Sequence, residues 1–189
     1  MPYPSQVTRE PLIEMAWQMI EEEGGPEQVS LAALAKKFGV KAPSLYRHVK
    51  NKTELLREVN LITWKRLTDC LLEAAAAVDG DPKAHILALG EAYRNYVHQF
   101  PITYQLAYTT THEIQPDPAA LEAMAIPLQR VMASIAGDDE ALTALRGMWA
   151  LIHGFVMLEI NGQFQRGGDI ESEFFRSVEA YVEGWMTGG

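Results

Sequence analysis

The chain has 189 residues, a length that fits one compact unit or two closely packed ones. Apolar residues make up 48% and charged residues 22%, which excludes a disordered chain, and the formal net charge is -9. A single cysteine, Cys70, excludes a disulfide framework, and the N-terminus lacks a basic region followed by an apolar one, so we expect a cytoplasmic protein without a secretory signal.

The first 52 residues contain three helical segments. Apolar residues at helical spacing predict a helix over 8–23, which Thr8 can cap and which the glycines at 24 and 25 end. Ser30 can cap a second helix over 30–38, and Gly39 then allows a sharp turn. A third short helix fits residues 42–49, with Pro43 in its first turn. Two short helices joined by a glycine-containing turn form a helix-turn-helix arrangement.

The rest of the chain is also predicted to be helical. A long fourth helix begins at Thr53, or at Asn51 before it, and ends before Gly80. No strand pattern competes with the helical one, so the predicted fold class is all-α. Proline, glycine and aspartate punctuation divides the remainder into further helices over 82–99, 101–108, 118–136, 139–163 and 172–186.

Charge is unevenly divided along the chain. Residues 30–57 contain seven lysine and arginine residues against one glutamate, whereas residues 61–189 contain eight against seventeen acidic residues. A local basic patch can bind a polyanion while an acidic remainder keeps the protein soluble. A merely solvated basic face is the alternative interpretation of this block.

The segment SLAALAKKFGVKAPSLYRHVKNKTELL, residues 30–56, resembles the DNA-binding domain of the Tet-repressor family of bacterial transcription regulators. The resemblance covers about residues 8–75. It implies an all-helical homodimer with an N-terminal DNA-binding domain and a C-terminal domain that binds a small-molecule inducer. The repressor that gives the family its name has polar base-reading residues where this chain has Ala32 and Ala42. We therefore expect a different operator.

The third helix supplies the residues predicted to contact double-stranded DNA. The turn presents its N-terminus first, so Lys41, Ala42, Pro43 and Arg47 can face a major groove. An arginine can donate two hydrogen bonds to guanine, which makes Arg47 the strongest candidate base reader. Phosphate contacts are expected from the side chains that match the family's phosphate-holding positions, which are Ser44, Tyr46, His48 and Lys52. We add Lys50 to this set.

The segment WALIHGFVMLE, residues 149–159, resembles the Trp–His–Gly class of C-terminal domains found in part of this family. In the family the last two helices pair with those of a second copy in a four-helix bundle. Burial of both apolar stripes within one chain is the alternative. Apolar side chains at helical spacing give the predicted dimer interface: Phe155, Leu158, Phe174, Phe175, Val178, Tyr181, Val182 and Trp185.

An inducer pocket is predicted from tyrosine and methionine side chains, which suit a mostly apolar site with a few polar groups. Ordinary core packing is the alternative for each residue. One wall consists of Tyr93, Tyr96, Phe100, Tyr104 and Tyr108, and the opposite wall of Met132, Met148, Trp149, His153 and Met157.

Enzymatic, metal-binding and membrane roles find no support in the sequence. No nucleophile motif or phosphate loop is present, and no two of the five histidines lie three to five residues apart, so we expect neither catalysis, nor a metal, nor a cofactor. The most apolar stretch, residues 147–160, falls short of the ~18 residues that span a bilayer.

These features predict a DNA-binding transcriptional regulator, a repressor released from a palindromic operator by a small molecule. Residues 1–52 form the predicted DNA-binding domain, and residues 53–189 the ligand-binding and dimerisation domain, with the helix over 53–77 as connector. The alternative is a helical small-molecule-binding protein or an enzyme that retains a vestigial DNA-binding block.

Overall fold

A computed structural model describes residues 7–109 and 111–187. Within them the chain is helical and contains no β-strand, which confirms the all-α prediction. Three short 3₁₀ turns, at Pro26–Gln28, Ala42–Ser44 and His112–Ile114, lie between the α-helices. The α-helices are α1 (Arg9–Glu23), α2 (Leu31–Phe38), α3 (Lys52–Ala76), α4 (Pro82–Gln99), α5 (Pro101–Thr109), α6 (Pro118–Ile160) and α7 (Ile170–Thr187).

Local signals define both ends of α2. The Ser30 hydroxyl accepts a hydrogen bond from the backbone N–H of Ala33 at 3.1 Å, as predicted for a helix cap. At the other end Gly39 has a φ of 66°, and its N–H and that of Val40 bond back to carbonyls of the last turn. This Schellman arrangement satisfies the terminal carbonyls of α2 and turns the chain sharply.

The segment that follows Gly39 differs from its prediction. An α-helix over 42–49 was expected, but the structure has a 3₁₀ turn at Ala42–Ser44 followed by further turns up to residue 48. Pro43 cannot donate a backbone hydrogen bond, and the hydroxyl of Ser44 donates to the Lys41 carbonyl at 2.7 Å, competing with the helical pattern. We call residues 41–49 the reading turn.

The other helix ends lie within three residues of their predicted positions. Asn51 caps α3, because its Oδ1 accepts from the N–H of Glu54 at 2.8 Å. The chain breaks at Gly137 inside α6, where φ is 73° and ψ is 164°, as its glycine and aspartate punctuation predicted. Thr8 occupies the N-cap position of α1, as predicted, but its side chain makes no capping hydrogen bond.

The described chain divides into two compact units. Unit 1 consists of the described residues up to Trp64 together with Phe100–Pro118. Unit 2 consists of Lys65–Gln99 together with the described residues from Ala119 onward. The predicted functional boundary at 52/53 falls inside unit 1 and stays a prediction.

The core of unit 2 joins α4 to α7 and to the second part of α6. A Cβ on Gly90 would lie 3.3 Å from a methyl of Val178, so this glycine lets α4 approach α7 closely. Arg94 of α4 donates two hydrogen bonds to Glu159 of α6, at 3.0 and 2.6 Å. His98 lies 3.0 Å from the same carboxylate.

By length and hydropathy alone, α6 is the one helix in the described ranges that could span a membrane. The 14-residue estimate from the sequence was too short, because the helix continues beyond the most apolar stretch. Core helices of soluble proteins meet the same criterion, and Gly137 interrupts the helical backbone of α6.

Candidate nucleic-acid interface

The reading turn alternates inward and outward side chains. Leu45 and Val49 are 0% and 1% exposed and pack in the core of unit 1 with Leu34 and Leu55. Burial of these residues fixes which side of the turn faces solvent. The predicted base readers Lys41, Pro43 and Arg47 are exposed, whereas Ala42 is half-buried.

The predicted phosphate contacts lie on the same turn and directly after it. Tyr46 is 54% exposed, although large aromatic side chains usually bury most of their surface. Lys50 and Lys52 are also exposed, and Ser44 and His48 are half-buried. The structure therefore brings the predicted DNA-binding residues together on one short segment of unit 1.

The cations of this segment remain available to a polyanion. Among the described residues, no carboxylate forms an ion pair with Lys41, Arg47, Lys50 or Lys52. Arg47 instead donates from Nε to Nε2 of the adjacent His48 at 2.9 Å. That bond leaves the two terminal guanidinium nitrogens of Arg47 to reach a base.

The single acidic residue of the basic block is occupied elsewhere. Glu54 accepts the backbone N–H of Lys50 at 2.7 Å and lies 3.5 Å from Arg9 of α1. Arg9 also pairs with Glu58 at 2.8 Å. These contacts tie the start of α3 to α1, and they direct the Glu54 carboxylate to groups other than the lysine ammonium groups.

The predicted pocket residues divide between the two units. Phe100, Tyr104 and Tyr108 belong to unit 1, where the rings of Tyr104 and Tyr108 lie 4.8 Å apart. The other seven belong to unit 2, where Tyr93 meets Trp149 edge to face at 5.1 Å. The most buried members are 1–5% exposed, so each helps to fill a core: Tyr93, Tyr96, Tyr104, Met132 and Met148.

His153 is half-buried in unit 2, and Met157 lies one turn further along α6 in a similar environment. Burial lowers the pKa of His153 below its usual value of 6.5, because the charged imidazolium loses hydration. The neutral ring is therefore favoured in the folded protein.

The predicted dimer stripe on α7 requires a correction. Phe174, Val178 and Val182 are at most 1% exposed within a single chain, because α4 packs against this face of α7. They are unavailable to a second copy. The residues that remain in the predicted dimer interface are the half-buried Phe155, Phe175, Tyr181 and Trp185 together with Leu158, which is 46% exposed.

Sequence reasoning missed a cleft in unit 2 and several long-range contacts. The cleft has a volume of about 730 Å³ and lies between the Gly137 break in α6 and the C-terminal turns of α7; Ile135, Tyr181 and Trp185 are among its lining residues. Glu21 bonds to residues 81 and 82 positions away. No local pattern indicates such pairs, because helical periodicity shows which face is buried but not what covers it.

Two family models match the chain. Residues 12–59 match the model described as bacterial regulatory proteins, tetR family. Residues 86–181 match the model described as the tetracyclin repressor-like C-terminal domain. The first match contains the whole reading turn and the start of α3.

Similar proteins support the same assignment. The uncharacterized HTH-type transcriptional regulator Rv0681 of Mycobacterium tuberculosis is 33% identical over 163 residues, which cover 84% of this chain and 73% of the relative. A structure of a protein with unknown function from Rhodococcus sp. RHA1 superposes with a TM-score of 0.79 at 21% identity, covering 97% of this chain and 98% of that one.

A third similar protein is a TetR variant from Acinetobacter baumannii AYE in complex with minocycline, with a TM-score of 0.67 at 18% identity, covering 95% of this chain and 96% of that one. At these identities the two solved structures show a shared fold. The two family matches and the relative at 33% identity show more: the chain belongs to the tetR family of DNA-binding transcriptional regulators.

Proposed function

We propose that this protein is a homodimeric repressor that acts in the cytoplasm, binds a palindromic operator through its two reading turns, and leaves that operator when a small molecule binds its C-terminal domain. The observation that carries the proposal is the exposed cationic surface of the reading turn. Lys41 and Arg47 of this turn, and Lys50 and Lys52 directly after it, form no ion pairs with described carboxylates, in a protein whose net charge is -9.

Binding follows from the placement of these charges. In this proposal the exposed Lys50 and Lys52 donate to phosphates, which fixes the register of the turn on a duplex. The Ser44 hydroxyl joins them only by releasing its bond to the Lys41 carbonyl. Arg47 then donates two hydrogen bonds to a guanine, and this bidentate contact discriminates against another base by about 1–3 kcal/mol. Its bond to His48 uses only Nε, so the two terminal nitrogens of Arg47 can contact a base while that bond stays in place.

A dimer serves this function geometrically. Two reading turns must meet successive major grooves about 34–36 Å apart on one face of the duplex. The partly exposed apolar residues Phe155, Leu158 and Trp185 support a seam on α6 and α7. Such an isologous contact makes the operator a palindrome.

Effector control has two lines of support. The chain matches a tetracyclin repressor-like C-terminal domain, and a protein of the same fold is known in complex with minocycline. Unit 2 also carries tyrosine, methionine and tryptophan side chains, which suit a drug-sized organic ligand. The family relatives are named as regulators, which favours control of transcription over catalysis.

Selection of duplexes from a random pool by the purified protein tests the proposal. The expected result is an enriched palindrome whose log affinity falls linearly with log salt between about 50 and 200 mM, with a slope near -0.9 per phosphate contacted. An unenriched pool with salt-independent binding would contradict the proposal. It would favour the helical binding protein with a vestigial DNA-binding block.

A further inference from the structure

Helix α5 and the turn after it are held at both ends by side chains of the DNA-binding unit. At the first end, the Glu21 carboxylate of α1 accepts hydrogen bonds from the backbone N–H groups of Ile102 and Thr103 at 3.2 and 2.8 Å. It also accepts the Thr103 hydroxyl at 2.8 Å. Thr103 is fully buried, so this contact is shielded from solvent.

The other end is held by α3. Arg57 donates to the carbonyl of Glu113 at 2.5 Å, and Asn60 donates from Nδ2 to the carbonyl of Ile114 at 2.8 Å. Asn60 is 0% exposed, and its Oδ1 has no hydrogen-bond partner among the described residues. A buried acceptor without a partner lowers the stability of the folded protein. The bond from Nδ2 to the Ile114 carbonyl is the favourable contact that offsets this loss.

Glu21 acts as a cap supplied from a distant part of the chain. The first N–H groups of any helix lack partners within the helix, and the N-terminus carries a partial positive charge. The residue before α5, Phe100, has no side chain that can accept a hydrogen bond. A carboxylate at this position forms charge-assisted bonds, which are stronger than those of a neutral cap.

Aromatic contacts reinforce the same connection. Trp17 of α1 meets Phe100 edge to face at 4.9 Å and donates its Nε1 to the Thr63 hydroxyl of α3 at 3.0 Å. Further along, the rings of Trp64 and Tyr108 lie 4.7 Å apart. Helix α5 thus contacts both α1 and α3 by specific, directional interactions within unit 1.

Along the chain, α5 lies between two helices of unit 2. It is joined directly to α4 at Gln99–Phe100 and to α6 through residues 114–118, and both of those helices belong to unit 2. We propose that Glu21 is the positioning residue that couples α5 to α1, so that a displacement of α5 changes the operator affinity of the reading turn. This inference rests on the proposed function.

Thermodynamic linkage separates coupling from mere stabilisation. If two positions of α5 differ in operator affinity, operator binding must shift the equilibrium between those positions by the same factor. A carboxylate that only stabilises the fold would change the unfolding temperature and leave that response intact. The response of α5 to DNA is therefore the diagnostic quantity, and it needs no knowledge of the effector.

The experiment uses hydrogen exchange of the full-length protein with and without the enriched duplex. The readout is exchange in residues 104–109, whose amides do not bond to Glu21. We compare the wild type, Glu21→Gln, and the matched control Glu22→Gln, which alters an exposed carboxylate on the same helix. Thermal unfolding of each variant checks that it is folded.

We expect the duplex to slow exchange in this segment about fivefold or more in the wild type and in Glu22→Gln, and less than about twofold in Glu21→Gln. Equal slowing in all three, or no slowing in the wild type when it is bound to the duplex, would overturn the coupling and leave the DNA-binding proposal standing. If no duplex is enriched, the proposed function fails first and this inference fails with it.

Discussion

The two compact units teach different lessons about how this sequence encodes its fold. In unit 1, short-range signals define the ends of α2 and the start of α3: Ser30 caps α2, Gly39 ends it, and Asn51 begins α3. In unit 2 the decisive contacts join residues far apart in sequence, such as Arg94 with Glu159 and Gly90 with Val178. The predicted DNA-binding residues can therefore be located from the sequence, whereas the packing of α4 against α6 and α7 cannot.

The largest expected effect breaks the core under the reading turn. Leu45→Ala removes a side chain that is 0% exposed, and we expect it to lower the free energy of unfolding by about 2–5 kcal/mol through lost burial and a residual cavity. Chemical denaturation measures this change. Lys36→Ala, at an exposed position of α2, is the control and should change it by less than about 0.5 kcal/mol.

A matched glycine pair on α6 probes the long-range packing of unit 2. A Cβ at Gly147 would lie 2.2 Å from the hydroxyl of Tyr181, which donates to the Ala144 carbonyl at 2.9 Å. We expect Gly147→Ala to destabilise the protein by about 1–3 kcal/mol. Among the described residues of one chain, no atom lies within 4 Å of the corresponding position at Gly154, so Gly154→Ala should stabilise the fold of the chain by about 0.4–1 kcal/mol. Equal effects in thermal unfolding would contradict this packing.

The helix cap of α2 tests the local encoding of unit 1. Ser30→Ala removes the acceptor for the Ala33 N–H, and we expect a loss of about 1 kcal/mol in unfolding free energy. Thr8→Ala at the start of α1 provides the contrast, because the Thr8 side chain makes no capping bond and its loss should be close to neutral. A Thr8 effect as large as that of Ser30 would show that both serve as caps.

The smallest expected effect concerns pH and His153. Its folded-state pKa lies below the unfolded value of 6.5, so the unfolded chain binds the proton more readily. Stability should therefore be complete above that value and fall as the pH decreases through it. Between about pH 7.5 and 5.5 the wild type should lose more thermal stability than His153→Gln. An unchanged pH slope in that variant would exclude burial of His153 as the cause; His112→Gln, at an exposed site, is the control.

Particular residues show which features of the fold and the site can be predicted from the sequence. The basic block, its glycine turn and the buried positions Leu45 and Val49 were predictable, because capping, periodicity and charge act over a few residues. The 3₁₀ geometry at Ala42–Ser44 was not, because it depends on the competition of Ser44 for the Lys41 carbonyl. The burial of Phe174 and Val178 within one chain was only the alternative prediction, since an apolar stripe does not identify its partner.

The most direct test of the central claim is the affinity of Arg47→Ala for the enriched duplex and for a scrambled duplex of the same length. We predict that the affinity for the enriched duplex falls about 5–150-fold per half-site, because about 1–3 kcal/mol of base discrimination is lost. The affinity for the scrambled duplex should fall much less. Lys65→Ala, at an exposed cation outside the reading turn, should bind both as the wild type does. Equal losses on both duplexes, or none on either, would contradict the claim that the reading turn reads bases through Arg47.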